Sequence, residues 1–260
     1  MTHGQDTAAK GAPGGAPFLL VFIYRVYAWL IFFPVVAIWS FLCGWMAVLA
    51  AVVISPSFGS RVVGGTWARV IGWLTPIRVR VEGREHIDPD QTYVVVCNHV
   101  SQYDIISVYG WLPLDLRWVM KQELRKLPGI GIACEKVGHI IVDRSNPEAA
   151  KRSITDALER IGDGVGILFF PEGTRSLDGR LRPFKSGAFR LAEEQGLPIL
   201  PVSIVGTREV LPAKTFKLLP GKVRLVVHPP IAPGDRSATE LKSLSRDAVA
   251  SGLEALPRQG

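Results

Sequence analysis

Residues 26–54 carry no charged side chain, and this run constrains the fold more than any other feature. About 20 apolar residues suffice to cross the hydrocarbon core of a bilayer. A helix buried in a soluble core would keep polar residues on one face, and this run has no polar face. Residues 18–24 extend it beyond Arg25. A secretory signal would carry an apolar region of about 7–15 residues followed by a small-residue cleavage site, and this run is far longer. Residues 1–16, rich in Gly, Ala and Pro, read as a disordered lead-in. Residues 17–75 then form a membrane-embedded and interfacial helical segment. Pro34 lies inside the run and is able to break a helix. The length is compatible with a single tilted span, or with two helices, 18–33 and 35–54, folded as a hairpin in one leaflet.

Residues 58–74 predict a second, interfacial helix with Trp67 and Trp73 at head-group level, although Gly64 and Gly65 weaken helix formation there. The formal net charge is +7, and Arg61, Arg69, Arg78, Arg80 and Arg84 follow the apolar run closely. Such flanking charge favours the cytoplasmic side and anionic head groups. The expected location is the cell membrane, in a bacterium the inner one, with the remaining domain on the cytoplasmic side. Nucleic acid is the other usual partner of a basic chain, but there is no long basic tract and no nucleic-acid motif. Cys43, Cys97 and Cys134 have no CxxC spacing, so neither a zinc site nor a disulfide framework is expected.

From residue 76 to 260 the chain reads as one domain. "IRVRVEG" alternates like a half-exposed strand, and "TYVVVC" is a short apolar run typical of a strand covered on both faces. "LRWVM", "HIIVD", "GILFF", "ILPVSIV" and "KVRLVV" are further strands, and "DIISVYGWL", 147–161, 186–195 and 237–254 are helices. Strands alternating with helices give the α/β class, with a mixed, largely parallel sheet flanked by helices. Ligands of such sheets lie at the carboxyl ends of strands. Polar segments follow three strands directly: "NHVSQYD", "KQELRKLPG" and "PEGTRS".

In the first segment, His99 and Asp104 are five residues apart. On one continuous helix they would point about 140° apart. They meet if His99 lies on the loop and Asp104 on the first turn of the helix, where the carboxylate fixes the imidazole tautomer and leaves the other nitrogen as a base. The plainer reading is a helix cap at Ser101 or Asp104 beside a loop histidine. In "FFPEGTRS", Pro171 stops the strand, Gly173 allows close backbone approach and Arg175 offers a planar fork for a phosphate. Glu172 would repel an anion, so it is expected to bind a neutral hydroxyl of the same ligand. The plainer reading here is a surface turn with a Glu–Arg pair. Lys121 and Arg125 are further basic candidates, or else a solvated helix start.

The segments "NHVSQYD", "KQELRKLPGIGIACEKVGHIIVDR", "FPEGTRS" and "LPILPVSIVG" resemble, in order, the four sequence blocks of the glycerolipid acyltransferases, most closely the bacterial 1-acyl-glycerol-3-phosphate acyltransferases. The resemblance runs from about residue 76 to 230. It implies an O-acyltransferase that moves an acyl group from acyl-CoA or acyl carrier protein to the sn-2 hydroxyl of lysophosphatidic acid, giving phosphatidic acid. It implies His99 as general base and Asp104 as its orienting partner. Lys121 and Arg175 would hold the acceptor phosphate, and Glu172, Gly173 and Thr174 would line the acceptor pocket. "LPILPVSIVG" is expected to form a wall beside the acyl donor, with its prolines marking an edge strand. No metal and no cofactor are implied beyond the acyl donor as co-substrate, and the other partners are membrane phospholipids. Other lysophospholipid or lyso-aminolipid acceptors remain open, as does a non-catalytic lipid-binding protein on the same fold. A lipid hydrolase would need G-x-S-x-G, and a nucleotide-binding enzyme a phosphate-loop motif; the chain has neither.

Overall fold

The computed structural model describes residues 18–127, 130–143 and 146–254; the lead-in expected over 1–16 lies outside them. α1 (Phe18–Tyr27), a π-turn (Ala28–Phe32) and α2 (Phe33–Val53) follow one another as a continuous helix. Pro34 therefore does not divide the run. It sits in the first turn of α2, and the wider π-turn before it opens the helix where its ring and missing N–H would break an α ladder. The reversal comes only at Ser55, whose extended backbone and side-chain oxygen cap α3 (Pro56–Phe58) by accepting from Phe58 N–H at 3.1 Å. A second π-turn (Gly59–Gly64) leads into α4 (Gly65–Leu74).

The hairpin is thus formed by α2 with the segment 56–74, not by the two halves of the apolar run. Glycine makes this approach possible: a methyl group on Gly59 would lie 2.9 Å from the Ala47 carbonyl oxygen. Trp67 is turned into the hairpin and not toward a head-group layer, because its indole N–H finds Ser40 Oγ at 2.9 Å. Trp39 N–H in turn reaches the Trp67 carbonyl. Trp73 remains exposed. The outward side of α1–α2 presents Leu30, Ile38, Leu49 and Val52. Among the described residues, this helix is long and apolar enough to cross a membrane by length and composition.

The rest is a seven-stranded sheet in the order β1-β7-β6-β2-β5-β3-β4, from β1 (Arg78–Glu82), β2 (Tyr93–Cys97), β3 (Asp115–Lys121), β4 (Ile140–Val142), β5 (Val165–Phe169), β6 (Ile199–Val205) and β7 (Lys222–Val227). Five neighbouring strands, β6 through β4, run parallel; β7 is antiparallel to β6, and β1 follows β7. The sheet is mixed and largely parallel, flanked by helices. Side chains alternate between two cores. Val95, Cys97, Leu116 and Leu168 face a layer that includes Ala28 and Phe32 of the apolar helix, α4 and α5 (Tyr103–Trp111). Val94, Val96 and Ile167 face α8 (Gly187–Gln195) and α10 (Ala238–Glu254). Two helices on the β3/β4 side, α6 (Ile130–Lys136) and α7 (Pro147–Leu158), complete the layers.

β6 is not an edge strand, despite Pro201. It lies between β2 and β7, and Pro201 pairs with Val96. The Pro201 carbonyl accepts from His228 N–H on the β7 side, where the β6/β7 ladder begins only at Val202. Pro201 thus sits one residue outside the β6/β7 ladder, and its missing N–H costs no bond within it.

Candidate active site

β2, β5, β3 and β6 end at one edge of the sheet, and the polar segments emerge there. His99 continues the alternation of Val95 and Cys97, so its ring projects toward the layer holding the apolar helix. His99 Nδ1 lies 2.7 Å from Asp104 Oδ2, across the junction between loop and α5. Asp104 is fully buried and heavily bonded. Its Oδ2 also accepts the backbone N–H groups of Val100 and Ser101 at 2.7 and 2.8 Å, and its Oδ1 accepts the Thr207 hydroxyl. Asp104 therefore caps the start of α5 and orients the histidine at once. Acceptor-only carboxylate chemistry requires that Nδ1 carry the hydrogen, which leaves Nε2 with a free lone pair. The imidazole is 14% exposed and stacks on Phe170, with ring centroids 4.0 Å apart.

The loop is held from three further sides. Asn98 exchanges two hydrogen bonds with Ile204 of β6, at 2.9 and 2.7 Å. Ser101 hydroxyl donates to the Leu211 carbonyl, just past α9 (Thr207–Val210). The third tie is Glu172. Its Oε1 accepts His99 N–H at 2.6 Å and its Oε2 accepts Arg182 N–H at 3.0 Å. Glu172 was expected to bind a ligand hydroxyl; instead it is buried, with each oxygen occupied by a backbone amide. Burial pushes its carboxyl pKa up, and the two amides oppose that. The same two loops join again where Ser176 N–H donates to the His99 carbonyl at 2.8 Å.

The other candidates lie around this core. Gly173 has φ +75°, the left-handed region that favours glycine. Thr174 is exposed. Arg175 is half-buried and makes no ion pair among the described residues. Lys121 is exposed at the carboxyl end of β3, two strands from β2 through β5, or roughly 10 Å across the sheet. Among the described residues it makes no ion pair. Arg125 is turned away into an exposed pair with Glu135 at 2.8 Å.

Four positions escaped the sequence reading as site residues: Phe170, Thr207, Ser101 as a tie, and Lys185. Phe170 stood inside the quoted motif, but an apolar residue beside a strand reads as core. Lys185 lies over the Gly173 backbone: a methyl on Gly173 would fall 3.0 Å from its Nζ. Among the described residues, no three His, Cys, Asp or Glu side chains converge to hold a metal ion. The arrangement holds one imidazole by its Nδ1 at a mostly buried edge of the sheet and leaves its Nε2 unbonded to Asp104.

Comparison with known proteins gives a consistent result. A family model described as Acyltransferase matches residues 78–205. The 1-acyl-sn-glycerol-3-phosphate acyltransferase of Chlamydomonas reinhardtii is 35% identical over 178 residues, covering 68% of this chain and 53% of that protein. The human alpha form is 34% identical over 162 residues, covering 62% and 57%. The chain spans only about half to two thirds of the curated relatives it matches, 53% and 63% for those of Chlamydomonas reinhardtii and Limnanthes douglasii. The crystal structure of the 1-acyl-sn-glycerophosphate (LPA) acyltransferase PlsC from Thermotoga maritima superposes with a TM-score of 0.81 at 28% identity, covering 92% of this chain and 99% of that one. Sequence blocks, sheet topology and these likenesses converge, and the chain belongs to the glycerolipid acyltransferase family.

Proposed function

We propose that this protein acylates the free sn-2 hydroxyl of 1-acyl-glycerol-3-phosphate, giving phosphatidic acid. The observation that carries the reading is the His99–Asp104 pair at 2.7 Å with Nε2 left unbonded to Asp104. His99 Nε2 takes the proton of the acceptor hydroxyl as its oxygen attacks the thioester carbonyl carbon. The imidazolium so formed faces the Asp104 carboxylate, which stabilises it. The tetrahedral intermediate collapses with cleavage of the C–S bond, and His99 returns the proton to the departing thiolate. No acyl-enzyme forms. The acyl donor is acyl-CoA or acyl carrier protein, both anionic and suited to a basic chain.

Arg175 and Lys121 would hold the acceptor phosphate, the first as a planar fork and the second as a point charge. Glu172 acts at one remove, by fixing the His99 backbone. In this reading the enzyme works at a membrane surface, on the cytoplasmic side of the cell membrane, and the long apolar helix supports the membrane part. The helix touches the rest of the domain at both ends, through Trp29 and Phe33 against Phe216 and through Ala47 against Ala133 and Val137. This supports a helix lying along the domain and immersed in one leaflet. Other lysolipid acceptors are the competing reading, and the cationic Arg175 and Lys121 favour a phosphate-bearing acceptor over a neutral one.

The test is a transfer assay on detergent-purified protein, offering labelled acyl-CoA and then acyl carrier protein against lysophosphatidic acid, neutral monoacylglycerol and a lyso-aminolipid. Phosphatidic acid from the wild type and none from His99→Ala is the expected result. Equal transfer to monoacylglycerol would refute the phosphate-bearing acceptor, and an active His99→Ala would refute the base.

A further inference from the structure

One surface loop is unlike the rest of the soluble face. After α9, residues 211–219 leave the sheet and return, closed at the base by Leu219 N–H donating to the Val210 carbonyl at 2.9 Å. Two inner bonds tighten it, from Thr215 N–H to the Pro212 carbonyl and from Leu218 N–H to the Phe216 carbonyl. Leu218 is plugged into the core at 2% exposure. Leu211 is held by Ser101, and Pro212 forms an isolated bridge with Ser101. The loop is thus fixed by its root. Its tip nonetheless turns Phe216 outward, 61% exposed. Lys214, in the left-handed region at φ +60°, and Lys217 flank it, both exposed.

The Phe216 ring stands 5.2 Å from Trp29 and 5.6 Å from Phe33, so the tip is continuous with the exposed face of the apolar helix. Arg25 lies one helical turn before Trp29, on the same face. Arg25, Lys214 and Lys217 make no ion pair among the described residues. An outward aromatic cluster flanked by unneutralised cations, continuous with an apolar helix, matches one kind of surface: aromatic rings at the level of the head groups, with cations at anionic lipid phosphates.

We propose that the 211–219 loop is a second membrane-docking element, which seats Phe216 in the bilayer interface and reads anionic lipid through Lys214 and Lys217. This rests on the membrane reading given above. The apolar helix supplies attachment to any bilayer, and the loop adds a preference for negative charge.

Flotation of the full-length protein, diluted from detergent, with vesicles of phosphatidylcholine alone or mixed with phosphatidylglycerol tests it. The wild type should bind both and favour the mixed vesicles. The double variant Lys214→Gln/Lys217→Gln should lose on the order of tenfold in binding to the mixed vesicles at low salt while keeping its binding to neutral ones. Phe216→Ser should weaken binding to both. Both variants should keep wild-type turnover of a soluble short-chain acceptor, which also shows that they are folded. A double variant with undiminished preference for mixed vesicles, or a Phe216→Ser variant that floats like wild type, overturns the proposal. A wild type that binds neutral and mixed vesicles equally overturns it alone, whereas one that floats with neither overturns the membrane reading as well.

Discussion

Replacing Asp104 by asparagine separates its two duties. In the wild type Oδ2 serves three donors, His99 Nδ1–H and the N–H groups of Val100 and Ser101, while Oδ1 takes the Thr207 hydroxyl. Asparagine can offer its carbonyl oxygen to the same three donors. Its amide N–H can face Thr207 Oγ1, whose hydrogen then turns away. Geometry and capping survive, and only the charge is lost. The imidazolium formed during attack then has no counter-charge, so kcat should fall about 10³- to 10⁴-fold, or roughly 4–5.5 kcal/mol of transition-state stabilisation.

Alanine at the same site removes the acceptor altogether. Two buried backbone N–H groups are orphaned, at about 1–3 kcal/mol each, a large part of the roughly 5–15 kcal/mol that holds a domain together. Initial rates of thiol release at saturating acceptor, with thermal melting in the same detergent, distinguish the cases. Asp104→Asn should melt near the wild type and be almost inactive, and Asp104→Ala should be inactive and melt far lower. An Asn variant within tenfold of wild-type kcat would show that the carboxylate charge is not needed. One that melts as low as the Ala variant would show that the capping argument is wrong.

Glu172→Gln places an amide N–H against one of the two backbone N–H groups that the carboxylate satisfies, so melting should fall by the equivalent of about 1–3 kcal/mol, with kcat reduced through the displaced His99 backbone; a variant equal to wild type in both would refute the tie. Arg175→Gln should raise KM for a phosphate-bearing acceptor on the order of tenfold and leave KM for its neutral analogue unchanged, measured by initial rates on both. His139 is buried beside Arg117, and burial first, then that cation, hold its pKa down at about 3 against an ordinary 6.5. Unfolded chains take up this proton below about pH 6.5 and the native protein does not, so its contribution is intact above that pH and is lost as pH falls toward 3. Between pH 7.5 and 5 the loss should be about 2 kcal/mol, seen as a drop in melting temperature that His139→Gln lessens.

The strands and the pairing of His99 with Asp104 were legible because both are local: apolar runs bounded by polar segments, and a five-residue spacing that only a loop–helix junction can close. What was hidden was distributed. Nothing in "FPEGTRS" says that Glu172 would spend its oxygens on amides 73 and 10 residues away, since a carboxylate in a motif looks the same whether it meets a ligand or a backbone. Thr207 reaches Asp104 only because β6 lies beside β2, a neighbourhood set by strand order. Pro34 left a continuous helix and a broken one both open for the opposite reason: its local rule is sound, but the π-turn at Ala28–Phe32 absorbs it.

The two bonds that join the His99 loop to the 171–176 loop, Glu172 to the His99 N–H and Ser176 N–H to the His99 carbonyl, bear on engineering. A designer who grafts the second loop from another acyltransferase to change acceptor preference also replaces the partners of the His99 backbone. The graft will move the histidine unless the first loop is exchanged with it. The workable unit of transplantation is therefore the pair, with Thr174 the freest position, exposed between the two fixed ends.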